Sequence, residues 1–211
     1  MDKRGTGYTY PTESLGEVAV RKFTSGRLHK ELSRDELAAV AGAQPGSHVV
    51  FLADDEGLTV LVTFMGEDGF PIGEATRGVT LNTIRNEELE LQPGFRGKGM
   101  GLKILTQQVE EGAKHGFQYI ETHATGLPAP PGERPEFYRN GYYTWAVMGF
   151  DGVPEGTGPN GEKWISEIME APGGPAWWKA NGSEFMGTFL LQDSSKSRRV
   201  LDGYRQLKGR V

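Results

Sequence analysis

The stretch LQPGFRGKGMGLKIL, from Leu91 to Leu105, decides how the middle of this chain folds. Three glycines occupy alternate positions in it, and Arg96 and Lys98 each precede one of the first two. Just upstream, Leu89 and Leu91 alternate with glutamates, a pattern typical of a half-buried strand. Downstream, apolar residues recur at helical spacing. The sequence therefore predicts a tight glycine loop that joins a strand to a helix.

The elements around this loop follow a recurring order. We predict a strand at Glu87–Gln92, a helix at Leu102–His115 and a second strand at Phe117–Ala124. Strand, loop, helix and strand in this order make a βαβ unit. The order therefore predicts an α/β fold.

The rest of the chain has weaker signals. Alternation predicts a strand at Gly16–Phe23, and the S-x-x-E capping box of Ser33 and Glu36 predicts a helix over Arg34–Ala43. Two apolar runs around Asp54–Gly57 predict a β-hairpin, followed by a further turn in GEDGFPIG. The second half predicts a short helix ending at Gly149, another in WISEIMEA, a strand in EFMGTFLLQ and a helix in SKSRRVLDGYRQLK.

Composition limits the class of protein. The 211 residues suit a single domain, 1–211, with Pro- and Gly-rich insertions in its second half. The net charge of −5 argues against a broad nucleic-acid surface. The absence of cysteine excludes disulfides, thiolate metal sites and a cysteine nucleophile, and the four scattered histidines predict no metal. With no long apolar run and a polar start, we expect a soluble cytoplasmic protein without a membrane partner.

The glycine loop is suited to hold a phosphate. Amides at a helix start are unpaired and lie at the positive end of the helix dipole, and glycine lets a ligand approach them. A Walker loop fails at Gln92 and Gly99, and a dinucleotide fingerprint fails at Leu102. A third pattern, Q/R-x-x-G-x-G/A, is matched in full by Arg96, Gly99 and Gly101.

At this motif the sequence resembles the GNAT superfamily of acyl-CoA-dependent N-acyltransferases. The strand, proline and aromatic residue before the loop fit that family's pattern, and WAVMGF resembles the aromatic–x–x–[LM]–G–F end of its next helix. The resemblance spans about Val49 to Phe150. It implies a GNAT-like mixed, twisted sheet with helices on both faces and a splayed central strand pair. Residues 49–150 would carry the acyl-CoA-binding core, and 151–211 would complete the sheet and the acceptor site.

The resemblance also implies where acetyl-CoA or another acyl-CoA would bind. The strand before the loop would carry a β-bulge and splay from the strand Phe117–Ala124. Backbone groups near Leu89 and Leu91 would hold the pantetheine arm. The pyrophosphate would be held by the loop residues Arg96, Gly97, Lys98, Gly99, Met100 and Gly101.

A base must take the proton of the attacking amine, and a carboxylate can do so. Glu121, on the strand after the helix, is the first candidate, because similar N-acetyltransferases have a glutamate at the matching place. Glu87 is the second, placed by alternation on the same face as Leu89 and Leu91. His123 shares a face with Glu121, so it would orient Glu121 or replace it.

The acid that protonates the leaving thiolate is less well defined. The family's usual tyrosine position holds Trp145, which has no titrating proton. Tyr143 is the best-placed substitute by helical spacing, with Tyr142 and Tyr138 as alternatives. Departure of the thiolate without a dedicated acid also stays open.

Three classes of function follow. The first is direct acyl transfer, most simply of acetyl, from CoA to a small-molecule or peptide amine. The second is a degenerate GNAT module that binds CoA without catalysis, motivated by Trp145, and the third is a nucleic-acid-modifying enzyme. Acceptor recognition would involve the proline-rich segment with Arg134 and Tyr138, while Trp177 and Trp178 serve either packing or an acceptor wall. Monomer and homodimer both stay open.

Overall fold

The computed structural model describes residues 7–53, 57–130 and 140–209. Within them the chain forms seven α-helices and six β-strands, grouped in two compact units, Met1–Gln118 and Tyr119–Val211. Each unit contains both helices and strands, so the predicted α/β class is confirmed. Among these described residues, no helix is both long and apolar enough to cross a membrane.

The N-terminal unit is built on four antiparallel strands, each paired with the next along the chain. The predicted hairpin is confirmed as the first two of these strands, while residues 54–56 of its turn lie outside the described part of the chain. The elements of this unit are α1 (Glu17–Arg27), α2 (Arg34–Val40), β1 (His48–Ala53), β2 (Leu58–Met65), β3 (Pro71–Val79), β4 (Thr83–Leu91), a 3₁₀ turn (Pro93–Phe95) and α3 (Met100–Lys114).

Two assignments in this unit differ from the sequence prediction. The strand predicted at Gly16–Phe23 is wrong, because those residues lie in α1. Val18 and Val20 would share a strand face, but the helix separates them and buries Val20 with Thr24, one turn later. Strand β3 was not predicted. It pairs with both β2 and β4, so its stability comes from neighbours distant in sequence rather than from its own glycine-rich pattern.

The capping box predicted for α2 is confirmed, with Ser33 accepting from the Glu36 amide. Helix α3 packs where α2 ends. A Cβ on Gly42 would lie 2.8 Å from Cγ2 of Ile104, so the missing side chain lets the two helices approach. Nε2 of Gln108 donates to Oδ1 of Asn86 at 3.0 Å, which ties α3 to β4. These contacts fix the direction in which α3 leaves the glycine loop.

The C-terminal unit contains an antiparallel strand pair and four helices. The predicted helices before Gly149, in WISEIMEA and in SKSRRVLDGYRQLK are confirmed, as is the strand in EFMGTFLLQ. The helix Gly174–Asn181 was not predicted. The elements of this unit are β5 (Tyr119–Ala124), α4 (Gly141–Val147), α5 (Ile165–Glu170), α6 (Gly174–Asn181), β6 (Phe185–Leu190) and α7 (Lys196–Lys208).

Tyr10 gives the N-terminal unit a predictable response to alkaline pH. Burial and the hydrogen bond from its hydroxyl to Oδ1 of Asp35, at 2.5 Å, raise the pKa of Tyr10 well above 10.0. A phenol with a raised folded pKa stabilises the fold fully below the unfolded pKa, and that contribution is lost as pH rises further. We expect the free energy of unfolding to fall less between about pH 8 and about pH 11 in Tyr10→Phe than in the wild type.

Urea titrations at the two pH values measure this difference. An unchanged pH dependence in Tyr10→Phe would contradict the assignment.

Candidate functional site

The glycine loop has the open geometry that the sequence predicts. Gly97 and Gly99 have φ angles of 72° and 84°, in the left-handed region that glycine adopts without strain. A Cβ added at Gly97, Gly99 or Gly101 would meet no described atom within 4 Å. The loop therefore leaves its backbone accessible to a ligand.

Helix α3 presents unpaired amides at this loop. The N-cap of α3 is Gly99. The amide of Lys103 donates to the carbonyl oxygen of Gly99 at 3.0 Å, which is the first backbone hydrogen bond of the helix among the described residues. The preceding amides of residues 100–102 are the usual free donors of a first turn. The first turn has no acidic residue, and Lys98 stands beside it. The helix start is therefore suited to an anion.

The two basic residues of the loop are held close to it. Nε of Arg96 donates to the Leu91 carbonyl oxygen at 2.7 Å, and Nη2 lies 3.4 Å from Oε1 of Glu90. Nζ of Lys98 lies 5.5 Å from the centre of the Phe95 ring. Exposed ion pairs of this kind contribute about 0–1 kcal/mol. A multiply charged ligand can therefore draw Arg96 away from Glu90.

Strand β4 carries a β-bulge at Glu87. Thr76 pairs with Glu88 and Arg77 pairs with Asn86, so Glu87 has no opposite residue on β3. The bulge expected from the family resemblance is therefore present on the strand before the loop.

The bulge corrects the predicted orientation of Glu87. Leu89 pairs with Ala75, whereas Oε1 of Glu87 lies 2.7 Å from where a Cβ of Gly78 would stand. Since Ala75 and Gly78 are three residues apart on one strand, they face opposite sides. The expectation that Glu87 shares a face with Leu89 and Leu91 is wrong, because simple alternation does not hold across an inserted residue.

A buried arginine, Arg77, stabilises this bulge. It was not predicted from the sequence. Arg77 is fully buried on β3, and its Nη1 donates to the carbonyl oxygens of Thr76, at 2.9 Å, and of Glu88. Burial lowers the pKa of Arg77 to about 9, against the opposing charge of Glu87. Within the described residues, Nε and Nη2 have no hydrogen-bond partner. Alternation from Ala75 would have placed Arg77 on the core face, had β3 been recognised.

Glu121 lies on the more open face of the strand pair in the C-terminal unit. It is half-buried opposite Thr188, and His123 is exposed opposite Met186. Glu121 and His123 therefore share a face, as predicted. Nε2 of His123 lies 3.8 Å from Oε2 of Glu184.

Tyr143 lies on α4, half-buried, with Nζ of Lys179 at 5.7 Å from its ring centre. Burial raises the pKa of Tyr143, with Tyr204 adding to the effect. Trp145 is buried and packs edge-on against Phe150, at 5.0 Å between ring centres. The tryptophan at the family's acid position is thus a packing residue, and Tyr143 stays the predicted acid.

Tyr142 and Trp178 of this unit are buried packing residues. The Tyr142 hydroxyl donates to the Lys179 carbonyl oxygen at 2.5 Å, and Nε1 of the buried Trp178 donates to the Tyr142 carbonyl oxygen at 3.1 Å. The two roles considered for Trp178 were packing and an acceptor wall, and the structure favours packing. Arg134 and Tyr138 lie outside the described residues.

Solved structures similar to this chain include acetyltransferases. One, described as an acetyltransferase of the GNAT family from Desulfovibrio desulfuricans, has a TM-score of 0.40 and 14% identity over 64% of this chain and 70% of that chain. The PaiA N-acetyltransferase from Thermoplasma acidophilum, in complex with coenzyme A, has a TM-score of 0.36 and 15% identity over 62% of this chain and 59% of that chain. Nourseothricin acetyltransferase has a TM-score of 0.39 and 13% identity over 76% of this chain and 96% of that chain.

A structure described as belonging to the GNAT family, the superfamily that the sequence resembles, is thus among those similar to this chain. This chain spans less than two thirds of the length of the coenzyme A complex. No family model and no curated protein matches it.

Proposed function

We propose that this protein is an N-acyltransferase that moves an acetyl or similar acyl group directly from acyl-CoA to an amine on a small molecule or peptide. The observation that carries the proposal is the glycine loop. It combines left-handed glycines, open space above the backbone, the free amides of α3 and two adjacent cations.

The loop supports a role in holding the diphosphate of coenzyme A. Free amides and the helix dipole attract phosphate oxygens, and a guanidinium can bind two of them at once. The bulge at Glu87 interrupts the β3–β4 ladder, and irregular strand pairing of this kind is frequent beside ligand sites. The pantetheine arm would bind the backbone near Leu89 and Leu91. The diphosphate would bind Arg96, Gly97, Lys98, Gly99, Met100 and Gly101.

The chemistry would proceed in one transfer, since the chain has no cysteine to carry the acyl group. Glu121 takes a proton from the ammonium of the acceptor. The amine nitrogen attacks the thioester carbonyl, the C–S bond breaks, and the thiolate takes a proton, for which Tyr143 is the candidate donor. The new amide nitrogen releases its extra proton, which restores the phenol of Tyr143. Holding the thioester beside the amine supplies much of the rate gain.

The proposal predicts that Gly99→Ala weakens binding of coenzyme A at least about tenfold, because a methyl group would occupy the space above the amides. Gly116→Ala is the matched control. Gly116 stands just beyond the other end of α3, with φ of 71° and equally open surroundings. Both variants should lose about 1–2 kcal/mol of stability from left-handed strain.

Calorimetry with coenzyme A and urea unfolding measure the two effects separately. Gly116→Ala should bind coenzyme A as the wild type does. Equal affinity in the two variants, or no heat and no thermal shift with the wild type, would overturn the proposal.

One structural feature favours a second candidate, a module that binds CoA without catalysis. Trp145 occupies the expected acid position and is committed to packing against Phe150. Assays of thiol release from acetyl-CoA across a panel of amines separate the two functions. Binding of CoA without release on any amine would favour the module.

A further inference from the structure

A cavity of 360 Å³ lies wholly within the C-terminal unit. We propose that it binds the body of the acceptor, and that the acceptor is a primary amine carried on an apolar, ring-sized group. This inference rests on the proposed N-acyltransferase function and names the class of its second substrate. The volume falls within the range of about 300–1,000 Å³ typical of small-molecule sites.

The walls of the cavity are mainly apolar. Strand β6 contributes the side chains of its open face, and α5, α7 and the segment after α4 complete the enclosure. Large apolar side chains on these walls are Phe150, Trp164, Met169, Met186, Leu190 and Val200. Methionine and aromatic side chains adapt well to a flat apolar ligand.

Several apolar side chains of the walls are exposed to solvent. Val153, Trp164, Met186 and Leu190 are exposed by 64%, 48%, 67% and 39%. All four line the same cavity. Clustered apolar exposure is characteristic of a binding surface, whereas single exposed residues are ordinary. A ligand with an apolar body would remove this surface from water.

The same cavity lies next to the predicted base. Thr188 is on its wall and pairs directly with Glu121 on β5. Directly opposed residues point to the same face, with Cβ atoms about 5 Å apart. An amine whose body fills the cavity can therefore extend its nitrogen along this face towards the carboxylate of Glu121.

The charges on the walls favour a cation over an anion. Asp151 accepts from the amides of Gly152 and Ser166, both at 2.9 Å, and from the Ser166 hydroxyl at 2.7 Å. A carboxylate has about four acceptor positions, so capacity for one more donor is left. The cation on the wall, Lys196, lies 3.2 Å from Oε2 of Glu170, which offsets its charge.

Direct binding of 2-phenylethylamine by calorimetry tests the inference without any acyl donor. We expect the wild type to bind this amine, and Met186→Lys to bind it at least about tenfold more weakly, because a cation then replaces apolar surface. Leu207→Lys is the control. Leu207 is 66% exposed in the same unit but does not line the cavity, so its substitution should leave the affinity unchanged.

Three results would overturn the inference: no binding of 2-phenylethylamine to the wild type, equal binding in Met186→Lys, or equal binding of ethanolamine, which has the amine but no apolar body. Coenzyme A binding is measured on the same samples. If coenzyme A binds and the amine does not, the inference fails alone. If the amine binds as expected and coenzyme A gives neither heat nor thiol release, the proposed transferase function fails.

Discussion

Replacing Glu121 by Gln should lower kcat for acyl transfer about 10²–10⁴-fold and leave the affinity for coenzyme A unchanged. The amide has nearly the same shape as the carboxylate but cannot accept a proton from the amine. Glu121 is half-buried opposite Thr188, so an isosteric replacement should fit the strand pair without loss of stability. Thiol release from acetyl-CoA with an amine as acceptor measures kcat.

Two further variants sharpen this experiment. Glu184→Gln removes an exposed carboxylate from the same unit, near His123, and should retain wild-type turnover. Glu87→Gln tests the second candidate base at the bulge. Full activity in Glu121→Gln together with a large loss in Glu87→Gln would transfer the role to Glu87. Full activity in both would refute carboxylate catalysis by either residue.

Gly149→Ala should lower the free energy of unfolding by about 2–5 kcal/mol, the sum of left-handed strain and overpacking. Gly149 follows α4 with φ of 98°, and a Cβ there would lie 2.4 Å from the carbonyl oxygen of Ser197. The same Cβ would lie 3.1 Å from Cε2 of Phe189. Because a backbone atom blocks the position, no change of rotamer can relieve the contact.

Gly156→Ala is the matched control for this prediction. Gly156 has φ of 89°, and a Cβ there would meet no described atom within 4 Å. In Gly156→Ala the free energy of unfolding should fall only by the left-handed strain, about 1–2 kcal/mol. Urea unfolding of both variants measures the difference, and equal losses would show that the contact with Ser197 contributes nothing.

Elements with local signals were predictable from the amino-acid sequence. The capping box at Ser33 fixed the start of α2, and the helix predicted after the glycine loop is present, beginning at Met100 rather than Leu102. Each depends on hydrogen bonds or backbone angles within a few positions of one another. The prediction that the loop holds an anion rests on the same local chemistry.

Other features depend on residues distant in sequence and are defined only in the folded protein. Strand β3 exists because β2 and β4 flank it, and the bulge that turns Glu87 towards Gly78 is defined only by register against β3. Arg77 is tolerated in the core because its guanidinium reaches carbonyl oxygens at that bulge. The cavity beside Thr188 gathers side chains from four separate segments. The amino-acid sequence shows which side chains are present. The distances between segments remote in sequence are set only by the packing of the folded chain.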